Sequence, residues 1–196
     1  MTAPSRPSHL RRAGFHAFNA AVVLAVLVLA DERFIHWTAS CAFGFVWLVE
    51  LARRHHPPTQ RVVLRSLAPV VRPHERASIT SGTWFVSALF VLAHWAPMEA
   101  RLVGVAVIGF GDPLASLVGR RFGRGELWGR SLAGSATMAV VAALVAGVVA
   151  WSAGLPIAER AAWVAIASVL AELLSRRGLD DNLFVPIAAA AAWLVA

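Results

Sequence analysis

Asp112 stands in the run Gly109-Phe110-Gly111-Asp112-Pro113, inside an apolar stretch long enough to cross a bilayer. An ionisable group at that depth costs at least about 2.5–3.5 kcal/mol on insertion scales, so it marks a site rather than packing. The glycines beside Phe110 let other backbone come close. Pro113 removes a helical hydrogen bond and frees the carbonyl of Gly109. The result is a carboxylate at a weakened point of a membrane helix, a way to build a polar site without exposing backbone to lipid. On a helix, Asp112, Ser116 and Gly119 share one face, and Ala115 gives small-residue spacing from Gly111. The segment then opens into a basic loop at Arg120-Arg121-Phe122-Gly123.

Two further clusters carry the same kind of chemistry. Arg130-Ser131-Leu132-Ala133-Gly134-Ser135 begins the next apolar run. A helix N-terminus attracts phosphate through its free N–H groups and partial positive charge. Gly134 would permit close approach, Ser131 and Ser135 would donate, and Arg120, Arg121, Arg124 and Arg130 would supply countercharge. The bland alternative is an N-cap with a basic flank. No Gly-x-x-x-x-Gly-Lys-Ser/Thr loop occurs. Glu172 and then Asp180-Asp181-Asn182 place three acids and an amide close together. That set suits Mg²⁺, which is held by one or two carboxylates plus substrate phosphates, although Asp180-Asp181-Asn182 also reads as a turn and helix cap. Weaker candidates are Glu50 and Glu75, each followed by arginine within three residues.

The elements that must position these groups are membrane helices. The chain has 196 residues, is 58% hydrophobic and only 15% charged, against about 25% charged for a soluble domain. All 18 basic residues are Arg, and the net charge is +7. With this apolar excess, anionic headgroups and anionic substrates fit the charge better than nucleic acid. Cys41 is the single cysteine, so no intrachain disulfide is possible, and its apolar run suggests a core position. About seven segments approach the ~20 apolar residues of a span: Gly14–Ala30, Phe34–Leu51, Ile79–Ala96, Leu102–Val118, Leu132–Trp151, Ala161–Leu174 and Leu183–Ala196. The last two are short. The expected fold is an all-α integral membrane protein, one bundle of about seven transmembrane helices forming a single membrane-embedded catalytic domain over 1–196.

Arginines cluster before the first segment, between the second and third, between the fourth and fifth, and after the sixth. By the positive-inside rule, the N-terminal segment 1–13 and these loops face the cytoplasm. Asp112, Glu172, Asp180 and Asp181 then fall on the same side. Loop 52–78 reads as an amphipathic interfacial stretch broken by Pro69 and Pro73, with Arg61, Arg65, Arg72 and Arg76 on one face. The eight tryptophans fit interfacial belts.

Taken in order, the segments resemble the CTP-dependent lipid kinases (phytol kinases, dolichol kinases and CTP-using diacylglycerol kinases), and more distantly the phosphatidate cytidylyltransferases. Gly111-Asp112-Pro113…Ala115…Gly119-Arg120-Arg121-Phe122-Gly123 is similar to the family's Gly-Asp-x-x-Ala-x-x-x-Gly-x-x-x-Gly. Arg130-Ser131-Leu132-Ala133-Gly134-Ser135 is similar to its Lys-Ser-x-Ala/Glu-Gly-Ser, with Arg in the usual Lys position. Glu172…Asp180-Asp181-Asn182-Leu183…Val185-Pro186 is similar to its Glu…Asp-Asp-Asn-Leu-x-x-Pro. Glu50…Arg53 and Arg72-Pro73…Glu75 are fainter echoes, so the likeness runs from about Glu50 to Ile187.

The resemblance implies transfer of the γ-phosphate of CTP to the hydroxyl of a membrane lipid alcohol, polyprenol-like or diacylglycerol. It implies catalytic roles for Asp112, Glu172 and Asp181, with Mg²⁺ held by Asp112, Asp180 and Asp181. The nucleotide would meet Arg120, Arg121, Arg130, Ser131, Gly134, Ser135 and Asn182, supported by Glu50, Glu75 and Ser116. The compact chain favours the bacterial, phytol-kinase-like side of the family and a cytoplasmic-membrane location with the active site inside. Two rivals stand beside this reading: a cytidylyltransferase releasing pyrophosphate, and a non-enzymatic transporter or assembly factor.

Overall fold

A computed structural model describes residues 9–66, 78–175 and 180–196. Its helices are α1 (His9–Leu29), α2 (Glu32–His55), α3 (Pro57–Ser66), α4 (Ser81–Trp95), α5 (Met98–Ala106), α6 (Asp112–Phe122), α7 (Leu132–Ser152), α8 (Ile157–Leu174) and α9 (Asp181–Val195). A π-helical turn, Val107–Gly111, joins α5 to α6 in one continuous rod. The only strands among the described residues are β1 (Glu126–Leu127) and β2 (Arg130–Ser131). The protein is all-α, as its apolar periodicity implies.

All seven apolar segments are helical, but the expected count of about seven spans is not met. Four helices are long and apolar enough to cross a membrane: Leu10–Leu29, Glu32–His55, Met98–Phe122 and Leu132–Ser152. The others fall short for two reasons. α4 and α9 have 15 residues each, or about 22 Å at 1.5 Å per residue, against a hydrocarbon core of about 30 Å. α8 is longer but carries Glu159, Arg160 and Glu172. Exposed apolar rows such as Leu144 and Val148 on α7, or Phe45 and Leu48 on α2, mark membrane association, since water-facing patches of that extent are rare.

Small residues set the packing. Met138, Ala142, Ala146 and Ala150 recur every fourth residue along α7 and are fully buried, which lets α7 lie close against α6 and α8. α9 is short because it is interior, packed by α4, α5 and α8. Its Pro186 carbonyl lies 2.6 Å from where a Cβ on Gly104 would sit. The π turn falls where Pro113 demands it. The proline ring clashes with the carbonyl four residues back, and a wider turn over Val107–Gly111 absorbs the clash without breaking the rod.

The ends of the bundle differ. Arg12, Arg53, Arg54 and Arg130 lie at one end, hereafter the basic end. Trp37, Trp95, Trp151 and Trp163 are exposed toward the other, in keeping with an interfacial belt. At that other end the Arg101 guanidinium donates to the Ala96 carbonyl (2.6 Å) and to both Glu32 oxygens (3.0 and 2.8 Å), pinning α5 to the start of α2. Cys41 is exposed rather than in the core, because α2 turns that side outward. Of the amphipathic loop, α3 shows no buried residue and an exposed Arg61 and Arg65; Arg72, Glu75 and Arg76 lie outside the described residues.

Candidate functional site

Three helix ends meet at Arg130. The turn between β1 and β2 places Trp128 (φ 48°) and Gly129 (φ 73°) in left-handed backbone, the pattern of a tight two-residue hairpin. The hairpin pairs Leu127 with Arg130 and Glu126 with Ser131, and so returns Arg130 to the bundle just before α7. Its guanidinium donates to Asp181 Oδ2 at 2.9 Å and lies 3.8 Å from Glu172 Oε1. Burial alone would lower the Arg130 pKa. The Asp181 ion pair and hydrogen bond, with the fields of Glu172 and Asp112, outweigh it and hold the group above its ordinary value. Arg130 is therefore a cation held between Asp181 and Glu172, within the field of Asp112.

The neighbouring positions divide between support and chemistry. Ser131 caps α7, accepting from the Gly134 N–H at 3.0 Å, and the Leu132 N–H donates to the Gly125 carbonyl at 3.0 Å. Two of the amides expected to cradle phosphate are thus already engaged, and side chains must supply more of that grip. A Cβ on Gly134 would come within 2.9 Å of Ser131 Oγ and 3.0 Å of the Ala115 carbonyl; one on Gly119 would collide with Ser131 Oγ. The small residues Gly111, Ala115, Gly119 and Gly134 therefore form the α6–α7 contact, which sets Gly119 against Ser131 and Gly111 against Met138. Ser116 accepts from Arg120 Nη1 at 2.5 Å. Arg120 and Arg121 are exposed, with Arg121 lying 6.0 Å over the Phe122 ring.

At the start of α9, Asp180 is the N-cap, accepting from the Asn182 N–H at 2.9 Å and the Asn182 amide at 2.7 Å. Asp181 and Asn182 are buried, as is Glu172 on α8. Glu172 Oε2, Asn182 Oδ1 and Ser135 Oγ are buried without a hydrogen-bond partner among the described residues. Each such atom costs about 1–3 kcal/mol, so three at neighbouring helix ends point to groups that a ligand completes. Among the described residues, no set of three or more His, Cys, Asp and Glu side chains is arranged to hold a metal ion. The donors still fit Mg²⁺, which takes hard oxygen ligands and lets phosphates and water complete its shell.

Glu50 belongs to a second cluster. It is buried at the end of α2, bound by Arg53 Nε (2.9 Å) and Nη2 (2.6 Å) and by Arg54 Nε (3.0 Å). Thr83 and Thr80, at the start of α4, reach Glu50 Oε2 at 3.3 and 3.5 Å. Arg53 also donates to the Ser78 carbonyl at 2.5 Å. Arg53 was legible beside Glu50 in the sequence, whereas Thr80 and Thr83 carried no signal beyond that of helix-start residues. Glu75 lies outside the described residues. Compared with models of known protein families, with curated proteins and with solved structures, the chain finds no match.

Proposed function

We propose that the protein is a membrane-embedded kinase that moves the γ-phosphate of CTP to the hydroxyl of a lipid alcohol. The observation that carries this reading is the Arg130 cluster, in which the guanidinium of the second motif pairs with Asp181 and approaches Glu172 of the third, within the field of Asp112 of the first. Phosphoryl transfer needs positioning and charge stabilisation more than covalent chemistry by the protein, and these residues offer both. The basic end faces the cytoplasm of a bacterial inner membrane by the positive-inside rule, and α9 is an inner helix of the bundle.

Arg130, with exposed Arg120 and Arg121, grips the triphosphate. Asp112 accepts the proton of the lipid hydroxyl as its oxygen bonds to the γ-phosphorus and the bond to the β,γ-bridging oxygen breaks, leaving CDP. Glu172, Asp181 and Asn182 present the oxygens that would hold Mg²⁺, with Asp180 ordering their turn; the ion, when bound, neutralises phosphate charge. Arg in place of the family's Lys keeps the charge and adds a planar fork suited to phosphate.

The test is product identity. Purified protein given CTP, Mg²⁺ and a panel of lipid alcohols should release CDP together with a lipid monophosphate. Pyrophosphate release with phosphatidate would move the bond broken to the α-phosphate and replace this reading with cytidylyl transfer. Absence of any nucleotide-dependent product or stabilisation would leave the transporter or assembly-factor reading.

A further inference from the structure

α1 and α2 are joined by only Ala30 and Asp31, yet they hardly touch beyond that turn, and α1 makes no extensive contact with α4 either. α1 leans instead on α5, α6 and the π turn. The space left open holds two cavities, of about 220 and 360 Å³, that share Val86 of α4 in their walls. Both are walled by α1, α2 and α4. The first lies toward the tryptophan end, lined by Val22, Val26, Ile35, Thr38, Ala42 and Leu89. The second lies at the basic end, where its lining turns polar with Arg12, Asn19, Glu50, Arg53, Thr80 and Thr83. On α2 the lining runs from Ile35 to Arg53, roughly 27 Å of helix, close to the ~30 Å of a hydrocarbon core.

We infer that this cleft holds the acceptor lipid, a single-chain alcohol lying along α2 with its hydroxyl at the Glu50–Thr80–Thr83 end; the inference rests on the kinase reading above. The shape matches a long apolar body with one polar tip. The width decides for one chain. The first cavity, about 220 Å³ spread over roughly 11 Å of α2, has a mean cross-section of about 20 Å², the width of one extended hydrocarbon chain. The polar end suits a hydroxyl. Thr83 and Thr80 reach Glu50 Oε2 only at 3.3 and 3.5 Å, long against the ~2.7–2.8 Å of a good O–H···O bond, so these loosely held hydroxyls can turn to donate to the lipid oxygen and leave its proton for Asp112. The depth is also right. Ala20 of α1 abuts Gly109, and α1 and α6 run in opposite directions, so Asp112 lies about one turn nearer the basic end, level with His16, which lines the second cavity.

A long-chain alcohol carrying a mid-chain diazirine, photolysed on the full-length protein in nanodiscs and mapped by mass spectrometry, tests this directly. Adducts should concentrate on Thr38, Ala39, Ala42 and Val86, and excess unlabelled single-chain alcohol should displace them while diacylglycerol does not. Ala42→Trp should cut adduct yield several-fold and raise KM for the alcohol with KM for CTP unchanged. Gly44→Trp, where a Cβ meets nothing within 4 Å, should do neither. Adducts on other surfaces, or equal competition by diacylglycerol, overturn the cleft even if Ala42→Trp does not fold. Adducts in the cleft without phosphate transfer would keep the lipid site and remove the kinase; transfer that ignores Ala42→Trp would do the reverse.

Discussion

Arg130 is the residue on which the basic end turns. Removing it takes from the buried acids Asp181 and Glu172 the guanidinium they share. Breaking a buried pair costs about 3–5 kcal/mol, and with the Arg130 side chain 29% exposed Arg130→Ala should fall at the lower end, read as a drop in unfolding temperature in detergent. Arg130→Lys should keep most of that stability yet lose phosphate transfer, because a point charge cannot reproduce the fork. An Arg130→Lys protein as active as the wild type would show that the guanidinium does not grip phosphate. The convergence of Asp112, Glu172 and Asp181 on one end was legible from charge placement, since alternating helices carry their arginine-rich loops and these acids to the same side. The Glu50 network was not, because Thr80 and Thr83 are ordinary helix-start residues until α2 and α4 are brought together. Asp180 went partly the blander way, as the cap of α9.

At the scale of elements, α6 and α7 are held by the absence of side chains. Gly119→Ala would drive a Cβ into Ser131 Oγ and should cost about 1–3 kcal/mol, as overpacking does; Gly44→Ala, with open space around it, should change the melting temperature little. Equal effects from the two would contradict the close α6–α7 packing. Ser131→Ala should remove the α7 cap at a cost of about 1 kcal/mol. The small-residue spacing of Gly111, Ala115 and Gly119 was visible in the sequence, and it proves to be the seat of α7. The hairpin that aims Arg130 went unread: two-residue strands have no periodicity, and Trp128 is an unusual residue for left-handed backbone. Trp128→Asn, which tolerates that conformation better, should leave stability unchanged or raise it.

For the whole molecule, all-α architecture and the place of every long helix follow from hydropathy, while the number of spans does not. Hydropathy counts apolar runs, and it cannot tell a helix buried in protein, such as α9, from one that meets lipid. The outer helices carry the membrane contact. Leu144 at the middle of α7 is 63% exposed, so Leu144→Arg should cost about 2.5–3.5 kcal/mol of insertion and deplete the protein from the membrane fraction; unchanged fractionation would mean that this face meets water. On the kinase reading, the acids and guanidinium at the basic end serve phosphate transfer. The most direct measurement is transfer of labelled γ-phosphate from CTP to a single-chain lipid alcohol by the wild type and by Asp112→Asn, with unfolding followed in parallel. The wild type should make labelled lipid phosphate, and Asp112→Asn should make none while unfolding at the same temperature. Full transfer by Asp112→Asn, or none by the wild type with any lipid alcohol, would contradict the kinase assignment.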